Sequence, residues 1–252
     1  ASFNEVSTLN TQTLIPRQLG FANYDTLLNN PIHPFKTWMV NSLKIAVIAS
    51  TISVLITAMG AYAFSRFRFK GRRTLMLMVF LVQVFPSTLT IVATFLLVQS
   101  IGNPVPSFGL NTHSGAILVY LGGALGINTW LMKGFFDSIP RDLDESAKID
   151  GASDWLIFAR IIFPLVRPVL AVVGILTFIF IYADVIIALT LLKGNEQQTL
   201  AVGLNNFISD SYDQEWGPFA AGAIIGAIPL VILILTFQRF FTSGLTEGAV
   251  KG

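Results

Sequence analysis

Five stretches of roughly 20 residues carry almost no charge, and they limit what this chain can fold into more than any other feature. They are residues 45–64, 74–97, 114–132, 169–192 and 219–238, and only the fourth holds an ionisable side chain, Asp184. A helix that crosses the hydrocarbon core of a bilayer needs roughly 20 mainly apolar residues. Lipid offers no partner to a backbone N–H or C=O, so only helices and closed barrels can span it. The stretches show no alternation of apolar and polar residues in segments of about ten, which a barrel requires. The expected fold is therefore all-α: a polytopic transmembrane bundle with five spans in this chain. Charged residues, 12% of the whole, fall well below the ~25% of soluble domains.

The basic residues orient the spans, because Lys and Arg are held on the cytoplasmic side. The connection after the first span holds Arg66, Arg68, Lys70, Arg72 and Arg73, and the one after the third holds Lys133, Arg141, Lys148, Arg160 and Arg167. Residues 98–113 contain no Lys or Arg, and residues 193–218 contain only Lys193. The alternation holds at every connection. It puts residues 1–37 and 193–218 outside and residues 133–167 in the cytoplasm. An N-terminal segment outside the cell, without a signal peptide, leads to the expectation of a six-span parent whose first span precedes residue 1.

The long cytoplasmic segment 133–167 is no polar linker. Pro140 suits a first helical turn, with Asp137 or Ser138 near the cap, and Asp142, Asp144 and Glu145 suit the positive end of a helix dipole. Gly151 ends the run. Ser153 or Asp154 can cap a second helix carrying Trp155, Phe158 and Ile162. The expected result is a helix–turn–helix on the cytoplasmic face. Physics alone leaves two readings open, an interfacial hairpin that links two spans or a docking element.

The pattern E-S-A-x-x-D-G-A, followed by I-x-F-P, resembles the EAA loop of the binding-protein-dependent ABC sugar importer permease family. The matching residues are Glu145, Ala147, Gly151, Ile161 and Pro164; Ser146 stands in place of the usual second alanine and Phe163 in place of the usual leucine. The resemblance extends through N-S-x-K at 41–44, A-Y-A-F-S-R at 61–66, Q-V-F-P at 83–86, F-G-L-N-T-H-S-G at 108–115, T-L-A-V-G at 199–203 and G-L-T-E-G-A-V-K-G at 244–252. These segments are most similar to maltose/maltodextrin permease subunits. The resemblance implies a multi-pass protein of the cell membrane that performs no catalysis and imports a di- or oligosaccharide. It implies that Glu145, Ser146, Ala147, Asp150, Gly151 and Ala152 couple it to a separate ATPase dimer, which would hold the ATP and Mg. It also implies a second permease subunit and an extracytoplasmic sugar-binding protein as partners, the latter touching Ser209, Asp210, Ser211 and Tyr212.

The remaining features fit that frame. No G-x-x-x-x-G-K-[ST] loop is present, so no Walker-type ATP cradle lies in this chain. Cysteine is absent, which removes disulfides and thiol chemistry. No cofactor is expected on the chain, and a net charge of +2 gives no reason to expect nucleic acid. Ionisable residues inside spans mark transport paths by default, so Asp184 is expected either to line the pathway or to brace the bundle. Gln83 beside Pro86 suggests path lining, a hinge or a static kink. Gly122, Gly123 and Gly126 form a small-residue face suited to close helix packing. The rival class is an ion-coupled secondary transporter, for which Asp184 would be the coupling carboxylate. Because the chain has no native thiol, single cysteines test the orientation without background. Lys70→Cys should be labelled by an impermeant maleimide only in inverted vesicles, and Asn195→Cys only in intact spheroplasts.

Overall fold

Every regular element among the described residues is helical. The structure, a computed structural model, describes residues 1–3, 20–84, 86–123, 126–209 and 214–249. In chain order the helices are α1 (Ala22–Asn29), α2 (Phe35–Arg66), α3 (Arg72–Val84), α4 (Ile91–Gly102), α5 (His113–Gly122), α6 (Ile127–Ser138) and α7 (Asp142–Ile149). They continue with α8 (Asp154–Leu165), α9 (Arg167–Ala183), α10 (Ile186–Leu191), α11 (Leu200–Ser209) and α12 (Trp216–Ala249).

Two of the five expected spans are continuous. The first lies within α2, and the fifth within Trp216–Gln238 of α12; both are long and apolar enough to cross a membrane unaided. The other three are interrupted, each at a residue that disfavours an unbroken helix. The second breaks around Pro86, which cannot donate a backbone hydrogen bond, and resumes through a single 3₁₀ turn at Ser87–Thr90. The third breaks between Gly122 and Ile127, where glycine lowers helix propensity. The fourth breaks between α9 and α10, where Asp184 starts a new helix instead of continuing the old one.

The chain forms two compact units. The first unit contains residues 1–48, 91–118 and 179–233; the second contains 49–90, 119–178 and 234–252. The first holds the segments that the charge pattern puts outside, and the second holds those it puts in the cytoplasm.

In the first unit, polar side chains of α2 hold down the backbone of residues 194–200. Trp38 Nε1 donates to the Asn195 carbonyl at 2.7 Å. Asn41 Nδ2 donates to the carbonyls of Glu196 and Gln198 at 2.8 and 2.9 Å, and Ser42 Oγ accepts from the Leu200 amide at 2.7 Å. A loop entering an apolar layer must satisfy its backbone internally, and the N-S pair of the N-S-x-K segment does that here. Trp38 is fully buried, and its ring lies against Gly203, where a Cβ would come within 2.1 Å of Cε3. The F-G-L-N-T-H-S-G segment is likewise architectural. Asn111 adopts φ +60° and accepts from the Gly194 amide at 2.7 Å. Thr112 Oγ1 donates to the Gly109 carbonyl at 2.7 Å.

In the second unit the core is built from α2 (Ala58, Ala61, Tyr62), α6 (Met132, Phe136), α7 (Ala147), α8 (Ile157, Phe158, Ile162) and α9 (Leu170, Val173). Tyr62 is the centre of its aromatic contacts, with ring centroids 5.9 Å from Phe136 and 5.0 Å from Phe158. Gly203→Val in the first unit should cost about 1–3 kcal/mol through overpacking against Trp38. Thermal unfolding of the purified protein should show it as a lowered midpoint, partly restored by adding Trp38→Leu.

Candidate functional site

The cytoplasmic segment folds as two helices joined by a tight turn. α7 is eight residues long, with Asp142, Asp144 and Glu145 in its first turn and Lys148 in its last, a charge order that suits the helix dipole. No side chain caps its start. The expected caps are engaged elsewhere because α6 continues through Ser138: Ser138 Oγ donates to the Phe135 carbonyl at 2.8 Å, and Asp137 Oδ1 accepts from Ser65 Oγ at 2.6 Å. α7 ends in a Schellman turn. The Ala152 amide reaches back to the Ala147 carbonyl at 2.9 Å, and the Gly151 amide to that of Lys148 at 3.0 Å. Gly151 sits at φ +81°, a left-handed conformation that costs an L-residue about 1–2 kcal/mol. Ser153 then caps α8 by accepting from the Leu156 amide at 3.3 Å. A wide π-type turn occupies Ile157–Ile162, and α8 meets α9 at a 78° bend.

This hairpin has one buried face and one bare face. Asp144 and Ala147 of α7 point inward, as do Ile157, Phe158 and Ile162 of α8. Glu145, Ser146, Asp150 and Gly151 are exposed and Ala152 is half-buried. Two large apolar side chains share that open side: Ile149 is 87% exposed and Trp155 is 66% exposed. Of the expected coupling residues, only Ala147 belongs to the core. Trp155, grouped in the sequence with Phe158 and Ile162, is exposed where those two are buried, although its ring centroid lies 5.5 Å from that of Phe158.

The buried face is tied down by charge. Arg66 Nε lies 3.1 Å from Asp144 Oδ2, with side chains 6% and 12% exposed. Arg66 Nε and Asp144 Oδ2 are close but not aligned for a hydrogen bond, so the contact is ionic. Removing one member of a buried ion pair typically costs about 3–5 kcal/mol, since the other charge is left uncompensated. Arg66 also donates to the Ile139 carbonyl at 3.0 Å, and Arg141 donates to that of Ser65 at 2.9 Å. Beside them Lys133 pairs with Asp137. Burial alone would raise the Asp137 carboxyl, but the bonds from Lys133 and Ser65 hold it below its ordinary range.

The residues expected along a pathway have local partners. Asp184 Oδ1 accepts from the amides of Ile187 and Ala188 at 3.0 and 3.1 Å, so this carboxylate caps α10. Gln83 Nε2 donates to the Gly123 carbonyl at 3.3 Å and lies where a Cβ on Gly126 would fall. It therefore fills the break in the third span. Ser209 ends α11, and its hydroxyl donates to the Asn206 carbonyl at 3.4 Å. Asp210, Ser211 and Tyr212 lie outside the described residues. Among the described residues no group of His, Cys, Asp or Glu could hold a metal ion.

Helices long and apolar enough to cross a membrane, beside others that are bent or broken, suit a membrane subunit. The chain belongs to the family described as binding-protein-dependent transport system inner membrane component, whose pattern matches residues 42–247. It is a permease subunit of the inner membrane and not an enzyme. It is similar to the maltose/maltodextrin transport system permease protein MalG of Vibrio vulnificus (42% identity, covering 93% of this chain and 79% of that one). A second similar protein is the galactooligosaccharides transport system permease protein GanQ of Bacillus subtilis (42% identity, covering 100% and 87%). Its fold matches a bacterial ABC transporter involved in the import of the acidic polysaccharide alginate, at a TM-score of 0.79 and 25% identity over 95% of this chain and 87% of that one. Membership of this family displaces the secondary-transporter alternative.

Asp184→Asn should keep the cap and leave transport near normal, whereas Asp184→Ala should lower stability by about 1 kcal/mol. Thermal unfolding and uptake measured on the same preparations would check both. Normal uptake by both variants would sink any role for Asp184 in lining the path.

Proposed function

We propose that this subunit forms half of a pathway for a neutral di- or oligosaccharide of the maltodextrin or galactooligosaccharide type, and that its α7–α8 hairpin couples it to a separate ATPase. The cargo reading rests on the two relatives, named for maltose/maltodextrin and galactooligosaccharide transport at equal identity. One observation carries the coupling reading: the hairpin is fixed on its inner side by Asp144 and Ala147 while Ile149 and Trp155 stand bare on the other. Apolar side chains flanked by Glu145, Lys148 and Asp150 suit a cleft in a partner protein, because burying them there removes apolar surface from water. The small residues Ser146 and Ala152 permit close approach, and Glu145 offers a carboxylate to a basic partner residue.

The assembly in this reading contains a second permease subunit, an ATPase dimer binding ATP and Mg, and an extracytoplasmic sugar-binding protein. That protein would engage the segment 209–212, at the end of α11 in the chain. Closure of the ATPase dimer would move the hairpin, and the hairpin would move the spans.

Uptake of labelled maltodextrin by proteoliposomes holding the assembled transporter tests the reading, with unlabelled galactooligosaccharide as competitor. Gly151→Val places about 1–2 kcal/mol of strain on the turn and should reduce ATP-driven uptake by about tenfold or more. Ile149→Asp should release the ATPase from the detergent-purified complex. Full uptake by the Gly151 variant, or full ATPase retention by the Ile149 variant, would reduce the hairpin to a connector.

A further inference from the structure

We infer that the buried Arg66–Asp144 pair is the pin through which displacement of the hairpin reaches the first span, and that its two members are positioning residues for coupled transport. The inference rests on the proposed docking of α7 on an ATPase and goes beyond it by naming the route inward.

Three observations support the pin. First, neighbouring acidic residues divide the work. Asp144 and Glu145 are about 100° apart on a helix, so one faces the core while the other faces out, and among the described residues only Asp144 of the two is paired with a cation. Second, the pair joins the first turn of α7 to the last turn of α2 directly, with no intervening loop. Third, the two arginines cross. Arg66 of α2 holds the Ile139 carbonyl ahead of α7, and Arg141 ahead of α7 holds the Ser65 carbonyl of α2. Two opposed bonds and an ion pair resist sliding in either direction, whereas the apolar contacts of Ala147 alone would resist it weakly, since hydrophobic contact is non-directional.

The ionic nature of the Arg66–Asp144 contact suits a moving joint. A charge contact tolerates small rotations that an aligned hydrogen bond does not, so α7 can rock against α2 without separating from it.

The test uses the complete transporter in proteoliposomes and reads ATP hydrolysis with and without sugar-loaded binding protein, alongside uptake. Asp144→Asn and Arg66→Gln should leave the ATPase in the purified complex. Both should cut uptake by about tenfold or more, as expected on uncompensating a buried charge. They should also abolish the rise in hydrolysis that loaded binding protein evokes. The exchanged pair Arg66→Asp with Asp144→Arg should recover a substantial part of both signals. Normal uptake by the single variants would overturn the inference. So would a loss of uptake that merely tracks loss of permease from the membrane and is not recovered by the exchange. Ile149→Asp separates the two levels. If it releases the ATPase while Asp144→Asn transports normally, docking stands and the pin falls. If it releases nothing, the docking reading itself falls.

Discussion

A bilayer interior cannot hydrogen-bond to a peptide group, and the rest of this structure follows from that constraint. Continuous helices satisfy it without help, as α2 and α12 do. At two of the three interrupted spans the chain supplies a side chain to the exposed backbone. Asp184 caps the start of α10, and Gln83 occupies the break after Gly122. Trp38, Asn41 and Ser42 bind the loop that leads into α11. The polar residues in this apolar chain are thus largely committed to repairing the backbone. Breaks near the middle of transporter helices serve to open cavities, and here the breaks of the third and fourth spans carry their own repair.

Much of the architecture was legible because long apolar runs and basic connections are strong signals. The two compact units follow the same division as the Lys and Arg count. The hairpin was equally legible, since Gly151 and Ser153 are punctuation with a mechanism, and they occupy φ +81° and the α8 cap. What could not be read was which polar residue serves which partner. Asp184 is the lone carboxylate in its span and suggested a pathway, but hydropathy cannot distinguish a helix cap from a path-lining group. Likewise, the start of α7 was misjudged at Pro140 because α6 extends six residues past the expected end of its span, through Ser138, and draws Asp137 and Ser138 into its own last turn. The Arg66–Asp144 pair joins residues 78 positions apart, a separation at which local pattern carries no information.

The family-like segments divide by what they do. N-S-x-K, F-G-L-N-T-H-S-G and T-L-A-V-G converge in one unit and hold a single loop. A-Y-A-F-S-R and the E-S-A-x-x-D-G-A loop converge in the other. Residues that read as separate motifs are therefore two composite structures, each written in pieces far apart in sequence.

α7 spans only eight residues, and a helix that short has little order of its own in water. Its shape is lent to it by the end of α2, through Arg66, and by the turn at Gly151. The hairpin is for that reason not a portable module. A permease given only residues 142–155 of this chain would inherit the letters of the loop without its geometry. In any exchange of such loops between transporters, natural or engineered, the Ser65–Arg66 end of α2 has to travel with them as part of the same inherited unit.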